Sequence, residues 1–201
     1  DGAEQREDEE AHAGREGEVR AFIGIAAAVE EGARLATRHN ITSPFAITLR
    51  HRVAEARVQD GDLPGALTAY QEIHQQFPAD ERAHFYLVDL EFRLGQSEVG
   101  LRDLDALLLR HHDSKELRKA AGALEALTQS YPANPDLVFR LSRVHEMNGE
   151  REKAVGVLDA LGEAQLSAGN KPAAAETISQ IIAMNPPRIE DYQNLLAQLS
   201  E

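Results

Sequence analysis

Two pairs of residues in the first half of the chain are separated by the same interval of 34 residues, Pro44 with Pro78 and Gly61 with Gly95. A regular interval of this length is typical of proteins built by stacking copies of one small structural unit. A unit of this size cannot bury its apolar side chains alone, so neighbouring units must share a continuous core. The spacing therefore predicts a stacked array.

The composition favours helices inside these units. Ala, Leu, Glu, Gln and Arg dominate the 201 residues, whereas aromatic residues amount to only 5%. Apolar residues recur at intervals of three and four, and no segment shows the alternation of a half-buried strand. The candidate N-caps are Ser43, Asp62, Asp80, Ser97, Asn134 and Asn170. A further pair, Asp113 with Glu116, has the spacing of a capping box. The candidate helix-terminating glycines are Gly61, Gly95, Gly149 and Gly169. We expect an all-α fold of about nine to ten helices.

The charge and the absence of cysteine exclude several functions. A formal charge of −13 argues against nucleic acid as the main partner, although a basic protein remains a suitable one. Without cysteine there are no disulfides, thiolate metal sites or thiol catalysis.

The apolar runs are too short to cross a membrane. No signal peptide is recognisable, but the chain begins at Asp1, so we take it as a fragment or processed form. The compartment stays open: the cytoplasm is favoured, and a removed leader is compatible with the sequence.

The N-terminal residues differ in composition from the rest of the chain. Residues 1–18 contain eight acidic residues and two arginines, with no apolar period. Such a segment cannot bury enough apolar surface to become ordered alone. It is predicted to be a disordered acidic tail, with an acidic interaction arm as the alternative. Residues 19–46 are predicted to form an N-terminal helical region.

The internal repeats resemble a known family. When residues 47–80 are laid over residues 81–114, Gly61 coincides with Gly95 and Ala66 with Gly100. Residues 155–188 supply further members at matching places, namely Gly162, Gly169, Ala174, Ile178 and Pro186. The stretch "GDLPGALTAYQEIHQQFP" resembles the second half of a tetratricopeptide repeat (TPR) of the bacterial type. The resemblance implies a right-handed α-solenoid of antiparallel helix pairs.

The aromatic residues usual in the family are absent at two places in these units. Arg50, His84 and Leu158 stand at the fourth place, and Arg57, Glu91 and Gln165 at the eleventh. We therefore expect the packing within each unit to be less regular than the spacing suggests.

The third unit is irregular because the next regular one begins only at Val155. It spans residues 115–154, with the stretch "SYPANP" at residues 130–135. One interpretation makes this stretch an enlarged turn between paired helices, which places Arg140 near a helix crossing. The other makes each helix here half of a damaged repeat. We prefer the first, because helices then alternate in direction throughout. Residues 189–201 are predicted to be a capping helix or the start of a further repeat.

No catalytic constellation is found, and no cofactor is expected. His111 and His112 are adjacent on a predicted helix, so they point about 100° apart and are poorly placed to share a metal ion. The sequence favours a non-enzymatic scaffold that binds a protein or peptide. One alternative is a structural oligomerisation module of a larger protein. Another is an enzyme, which ligand-dependent stabilisation lost on changing His51 or His111 would reveal.

The resemblance also implies where a partner binds, because the first helix of each unit lines the concave face in that family. The partner-binding residues predicted on this basis are His51, Glu55, Arg82, Phe85, Asp89, Phe92 and Arg93. Phe85 and Phe92 would be apolar anchors between two arginines, or alternatively part of the packing between helices. The amphipathic segment with Tyr192, Leu195, Leu196 and Leu199 is a candidate for self-association.

Overall fold

The regular structure is helical throughout the part of the chain that the computed structural model describes, residues 27–35, 38, 43–132 and 134–199. Helical residues 27–35 come first. They are followed by α1 (Pro44–Gln59), α2 (Leu63–Gln76), α3 (Glu81–Arg93), α4 (Ser97–Asp113), α5 (Leu117–Ser130), α6 (Pro135–Met147), α7 (Arg151–Ser167), α8 (Lys171–Ala183) and α9 (Ile189–Leu199). No strand occurs among the described residues, so the all-α prediction is confirmed. The acidic tail predicted at residues 1–18 lies outside them.

Side-chain caps start most of these helices where the sequence predicts them. The confirmed caps, each accepting a hydrogen bond from a backbone N–H in the first turn, are Ser43, Asp62, Asp80, Asn134 and Asn170. Each such bond satisfies a donor that the helix itself leaves unpaired, and contributes about 1 kcal/mol. A proline in the first turn of α1, α2, α6 and α8 reinforces the same boundaries.

Glycine ends four of the helices, as predicted. Gly61, Gly95, Gly149 and Gly169 have φ angles between 73° and 80°. After α1 the backbone N–H of Asp62 donates to the carbonyl of Arg57 at 2.9 Å, which closes the helix end in a Schellman motif.

The predicted capping box of Asp113 and Glu116 is wrong. Helix α4 continues through Asp113, so this carboxylate lies inside a helix, and Glu116 caps α5 without a side-chain hydrogen bond. The chain reverses at Lys115, which has a φ of 60°. The N–H of Glu116 then donates to the carbonyl of His111 at 2.7 Å. A lysine therefore occupies the left-handed position that glycine takes elsewhere, and the sequence pattern missed it.

The helices form two compact units, which divide after Gln96. In the first unit α2 packs against both α1 and α3. Their core includes Ala54, Ala66, Tyr70 and Leu90, all of which are fully buried. Ala66 is fully buried at the place where the sequence predicts a crossing with a small residue, and a larger side chain there would overpack this core.

In the second unit each helix from α4 to α9 packs against the next one. The hydroxyl of Ser142 on α6 donates to the carbonyl of Ala154 on α7 at 2.9 Å, so a small residue lies where these two helices meet. Arg140 is only half-buried, and its guanidinium reaches Asp105 on α4. Ala174 on α8 is fully buried.

The loop after α5 begins and ends like the loop after α2. Phe77 and Tyr131 both have a φ of −130°, with ψ angles of 72° and 61°. In each loop the N–H of the next helix's cap, Asp80 or Asn134, donates back to that aromatic residue's carbonyl, at 2.9 and 3.1 Å. The division into residues 47–80, 81–114, 115–154 and 155–188 stays a prediction.

Candidate partner-binding surface

The seven residues predicted to contact a partner lie on α1 and α3 of the first unit. His51 and Glu55 belong to α1, and the other five belong to α3. An ion pair between Glu55 and Arg82 connects the two helices. The structure therefore brings Glu55 and Arg82 into contact, although they are 27 residues apart in the sequence.

His51 connects the two helices that carry this surface. Its side chain is buried, and its Nε2 atom lies 2.8 Å from Oδ2 of Asp80. Burial alone would raise the pKa of the Asp80 carboxyl, but hydrogen bonds from His51 and the N–H of Ala83 outweigh it and hold that pKa below its ordinary value. His51 thus fixes the start of α3 against α1 and leaves little of its own surface to a partner.

Aromatic rings underlie the centre of the surface. Tyr70 of α2 is fully buried and stacks on Tyr86 of α3, with ring centroids 4.8 Å apart. Phe85 meets Tyr86 edge to face at 6.2 Å, and the guanidinium carbon of Arg82 lies 6.0 Å from the Tyr86 centroid. Burial, with a smaller contribution from Glu55, raises the pKa of the Tyr70 hydroxyl well above its ordinary value. These contacts hold Phe85 half-buried.

The C-terminal half of the predicted set divides by exposure. Phe92 is 6% exposed and Asp89 is 8% exposed, so both are buried. Arg93 is exposed, and its Nε atom lies 2.9 Å from Oδ2 of Asp89. The accessible members of the predicted set are Glu55, Arg82, Phe85 and Arg93, which we call the α1–α3 surface. Their contact with a partner stays a prediction.

Buried polar residues occupy the fourth place of the first two repeat units, where the resembled family carries an aromatic residue. Arg50 is buried, donates to Gln76 and lies 5.4 Å from the centroid of Phe77. The ring of His84, also buried, lies 4.5 Å from that of His74.

The eleventh place is bridged by hydrogen bonds. Arg57 donates to the carbonyl of Gly65 at 3.0 Å, joining α1 to α2. Gln165 accepts from the hydroxyl of Thr177 at 2.7 Å, joining α7 to α8. At Arg57 and Gln165, substitutions that look like lost packing in the sequence are therefore polar contacts between paired helices.

The two adjacent histidines at the end of α4 have different surroundings. His111 is buried, with its Nδ1 atom 3.9 Å from Oε2 of Glu116. His112 is exposed, and its Nδ1 atom lies 3.4 Å from Oδ1 of Asp113. The side chains thus turn to different neighbours, as their adjacent helical positions lead one to expect.

A groove that sequence reasoning missed lies between α6 and α8 in the second unit. It has a volume of about 410 Å³ and is lined by Phe139, Arg143, Glu146 and Met184 among others. No sequence motif marks it, because its residues come from segments about 40 positions apart that only helix stacking brings together. None of the helices in the described part of the chain is long and apolar enough to span a bilayer.

Comparison with known proteins identifies the family. A family model described as tetratricopeptide repeat matches residues 53–110 and 113–164, more than half of the chain. Among solved structures, a thermophilic TPR protein of Thermus thermophilus is 19% identical, with 76% of this chain and 98% of that chain covered and a TM-score of 0.32. A tetratricopeptide repeat protein from Parabacteroides merdae is 14% identical, with 90% and 94% covered and a TM-score of 0.37. A comparison with curated proteins finds no significant match. Because the family model covers helices of both units, the chain belongs to the tetratricopeptide repeat family.

Proposed function

We propose that the first unit binds a segment of a partner protein on the α1–α3 surface. The observation that carries this proposal is the position of Phe85, a half-buried ring held by Tyr86 beside the Glu55–Arg82 ion pair. A ring of this kind can bury its remaining surface against an apolar side chain of the partner. The charged groups around it can then orient the partner's backbone and polar side chains.

The family and the charges support a protein as the ligand. Tetratricopeptide repeats are generally protein–protein interaction scaffolds, and proteins of the family are typically non-enzymatic. Aromatic and arginine side chains are enriched among the residues that dominate binding energy at interfaces. The formal charge of −13 accelerates the approach of a basic partner protein, whereas Arg82 and Arg93 on the surface itself favour an acidic group in the segment that binds there.

Site-specific photo-crosslinking tests where the partner lies. A photoreactive phenylalanine analogue at Phe85 should capture one protein reproducibly, whereas the same analogue at Gln71, an exposed residue of α2, should not capture it. Equal capture from both positions would place the partner elsewhere.

Self-association through α9 is a second candidate function. Tyr192, Leu195, Leu196 and Leu199 form an apolar stripe on this helix, yet none of its described residues is fully buried. A second copy of the chain could cover the stripe. Light scattering should then show a dimer for the natural chain and a monomer for a Leu195→Gln/Leu199→Gln variant, with an exposed Gln193→Ala change as the control. A natural chain that is monomeric at every concentration would exclude this candidate.

A further inference from the structure

A second site is suggested by a cavity in the first unit, between helical residues 27–35 and helices α1 and α2. Its volume is about 750 Å³, within the range of sites for small organic ligands. Ala33, Val53 and Ile73 provide an apolar part of its wall. It lies on a different face of α1 from the α1–α3 surface, because Arg50, Val53 and Arg57 are spaced by three and four residues and share one side of the helix.

The guanidinium of Arg50 lies at the buried part of this cavity. The residue is 5% exposed, and its contacts with Gln76 and with the ring of Phe77 hold it in place. Burial lowers the pKa of Arg50 and outweighs the attraction of Glu72, the carboxylate that acts on it. Arg50 is therefore a cation held at a place where little water screens its charge.

Other charged residues surround the cavity. Arg57 donates to the carbonyl of Gly65, and its Nη2 atom lies 3.8 Å from Oε1 of Glu30, at the long end of the range for an ion pair. Arg34 at the outer rim pairs with Glu31 at 2.8 Å. Together with Arg38 and Glu72, the lining contains four arginines and three glutamates, so its formal charge is +1. One bound carboxylate would make it neutral.

We propose that this cavity binds the single carboxylate of a ligand whose remaining body is apolar, with Arg50 and Arg57 receiving the carboxylate and the wall of Ala33, Val53 and Ile73 receiving the body. A guanidinium presents parallel N–H donors that match both oxygens of a carboxylate. The buried position of Arg50 strengthens that attraction, because water screens it less than at an exposed site. A phosphate dianion fits less well, since its second charge would face the three glutamates.

An NMR titration of the 201-residue chain tests this site with defined probes. Hexanoate is the free-acid probe and hexanamide its neutral control, while acetyl-Ala-Ala-Leu with a free or amidated C-terminus tests a peptide carboxylate. We expect saturable shifts of the Val53 and Ile73 methyl signals and of the Arg50 Nε–H signal with an acid and not with its amide. The acid that binds more tightly shows whether the carboxylate belongs to a free acid or to a peptide C-terminus. Equal shifts with acid and amide, or none with either acid, would overturn the proposal.

Variants assign the effect to the cavity. Arg50→Gln should weaken binding of the better acid about tenfold or more, because it removes a charge-assisted hydrogen bond. Arg52→Gln, at an exposed residue on the same helix outside the cavity, should bind like the natural chain. Glu72→Gln should bind the acid more tightly, because it removes a negative charge from the cavity lining. If Arg50→Gln does not fold, the affinity of Glu72→Gln tests the proposal in its place. Unchanged affinity in both Arg50→Gln and Glu72→Gln would contradict the proposal.

Discussion

His51 on α1 and Asp80 at the start of α3 share a hydrogen bond of 2.8 Å. The same carboxylate accepts the N–H of Ala83 at 2.9 Å and so caps α3. One aspartate therefore has two roles, which are to begin a helix and to fix that helix against α1. The α1–α3 surface depends on both, because Glu55 and Arg82 stand close to this contact on the two helices.

The first prediction concerns the pH dependence of stability. The pKa of Asp80 in the folded chain lies below its ordinary value of 3.8, so the carboxylate stabilises the fold at neutral pH. This contribution is present above the unfolded pKa and is lost as the pH falls through the folded one. Urea unfolding measured from about pH 6 to pH 2.5 should therefore show a shallower loss of stability for Asp80→Asn than for the natural chain. Asp60→Asn, at the exposed end of α1, is the control, and equal slopes for Asp80→Asn and the natural chain would contradict the prediction.

The second prediction tests the packing at the helix crossings. Ala66→Leu and Ala174→Leu should each lower the free energy of unfolding by about 1–3 kcal/mol, because replacing a methyl group with an isobutyl group overpacks a fully buried position. Ala56→Leu adds the same group at an exposed position of α1 and should change stability by less than about 0.5 kcal/mol. Denaturant unfolding measures all three. No loss at Ala66 and Ala174 would show that these residues are not at crossings.

Much of the fold could be predicted because its signals are local. A cap such as Asn134 bonds to N–H groups two and three residues ahead, so residue type and spacing suffice to place it. The turn at Lys115 could not be predicted, because nothing in the sequence distinguishes a lysine that adopts a φ of 60° from any other. Local chemistry therefore fixed most helix boundaries and failed where a residue acts against its usual preference.

The third prediction compares alanine substitutions at two glycines. Gly149 ends α6 with a φ of 77°, whereas Gly156 is exposed inside α7, and an added Cβ would meet no atom within 4 Å at either. Gly149→Ala should destabilise the chain by about 1 kcal/mol through backbone strain. Gly156→Ala should stabilise it by about 0.5–1 kcal/mol, because alanine loses less entropy in a helix. Thermal unfolding should show shifts of opposite sign, and shifts of the same sign would contradict the assignment.

The fourth prediction concerns the contact between α4 and α6. Arg140 donates from Nε and Nη2 to the two oxygens of Asp105, at 2.7 and 2.9 Å. These hydrogen bonds hold the pKa of the Asp105 carboxyl below its ordinary value. Because the Asp105 side chain is 56% exposed, a double-mutant cycle with alanine should give a coupling of only about 0.5–1 kcal/mol. The coupling should shrink in about 1 M salt, and a coupling that salt leaves unchanged would be inconsistent with an exposed ion pair.

Less of the candidate site could be predicted, because its contacts are not local. The resemblance selects seven residues by their place in the repeat, but it does not show that Asp89 and Phe92 are buried. In the resemblance, Arg50 only marks a place where an aromatic residue is absent. In the structure, this arginine packs against Phe77 and lines a cavity. Burial and partners at these positions depend on side chains from other helices, which no single segment specifies.

The most direct test of the proposed function is the affinity of the purified partner for a Phe85→Ala/Arg93→Glu variant, measured by isothermal titration calorimetry. Removal of the ring and reversal of the adjacent charge should weaken binding about thirtyfold or more. A matched Gln71→Ala/Arg102→Glu variant changes two exposed residues elsewhere and should bind like the natural chain. If the Phe85→Ala/Arg93→Glu variant instead retains full affinity while remaining folded, the partner does not bind on the α1–α3 surface.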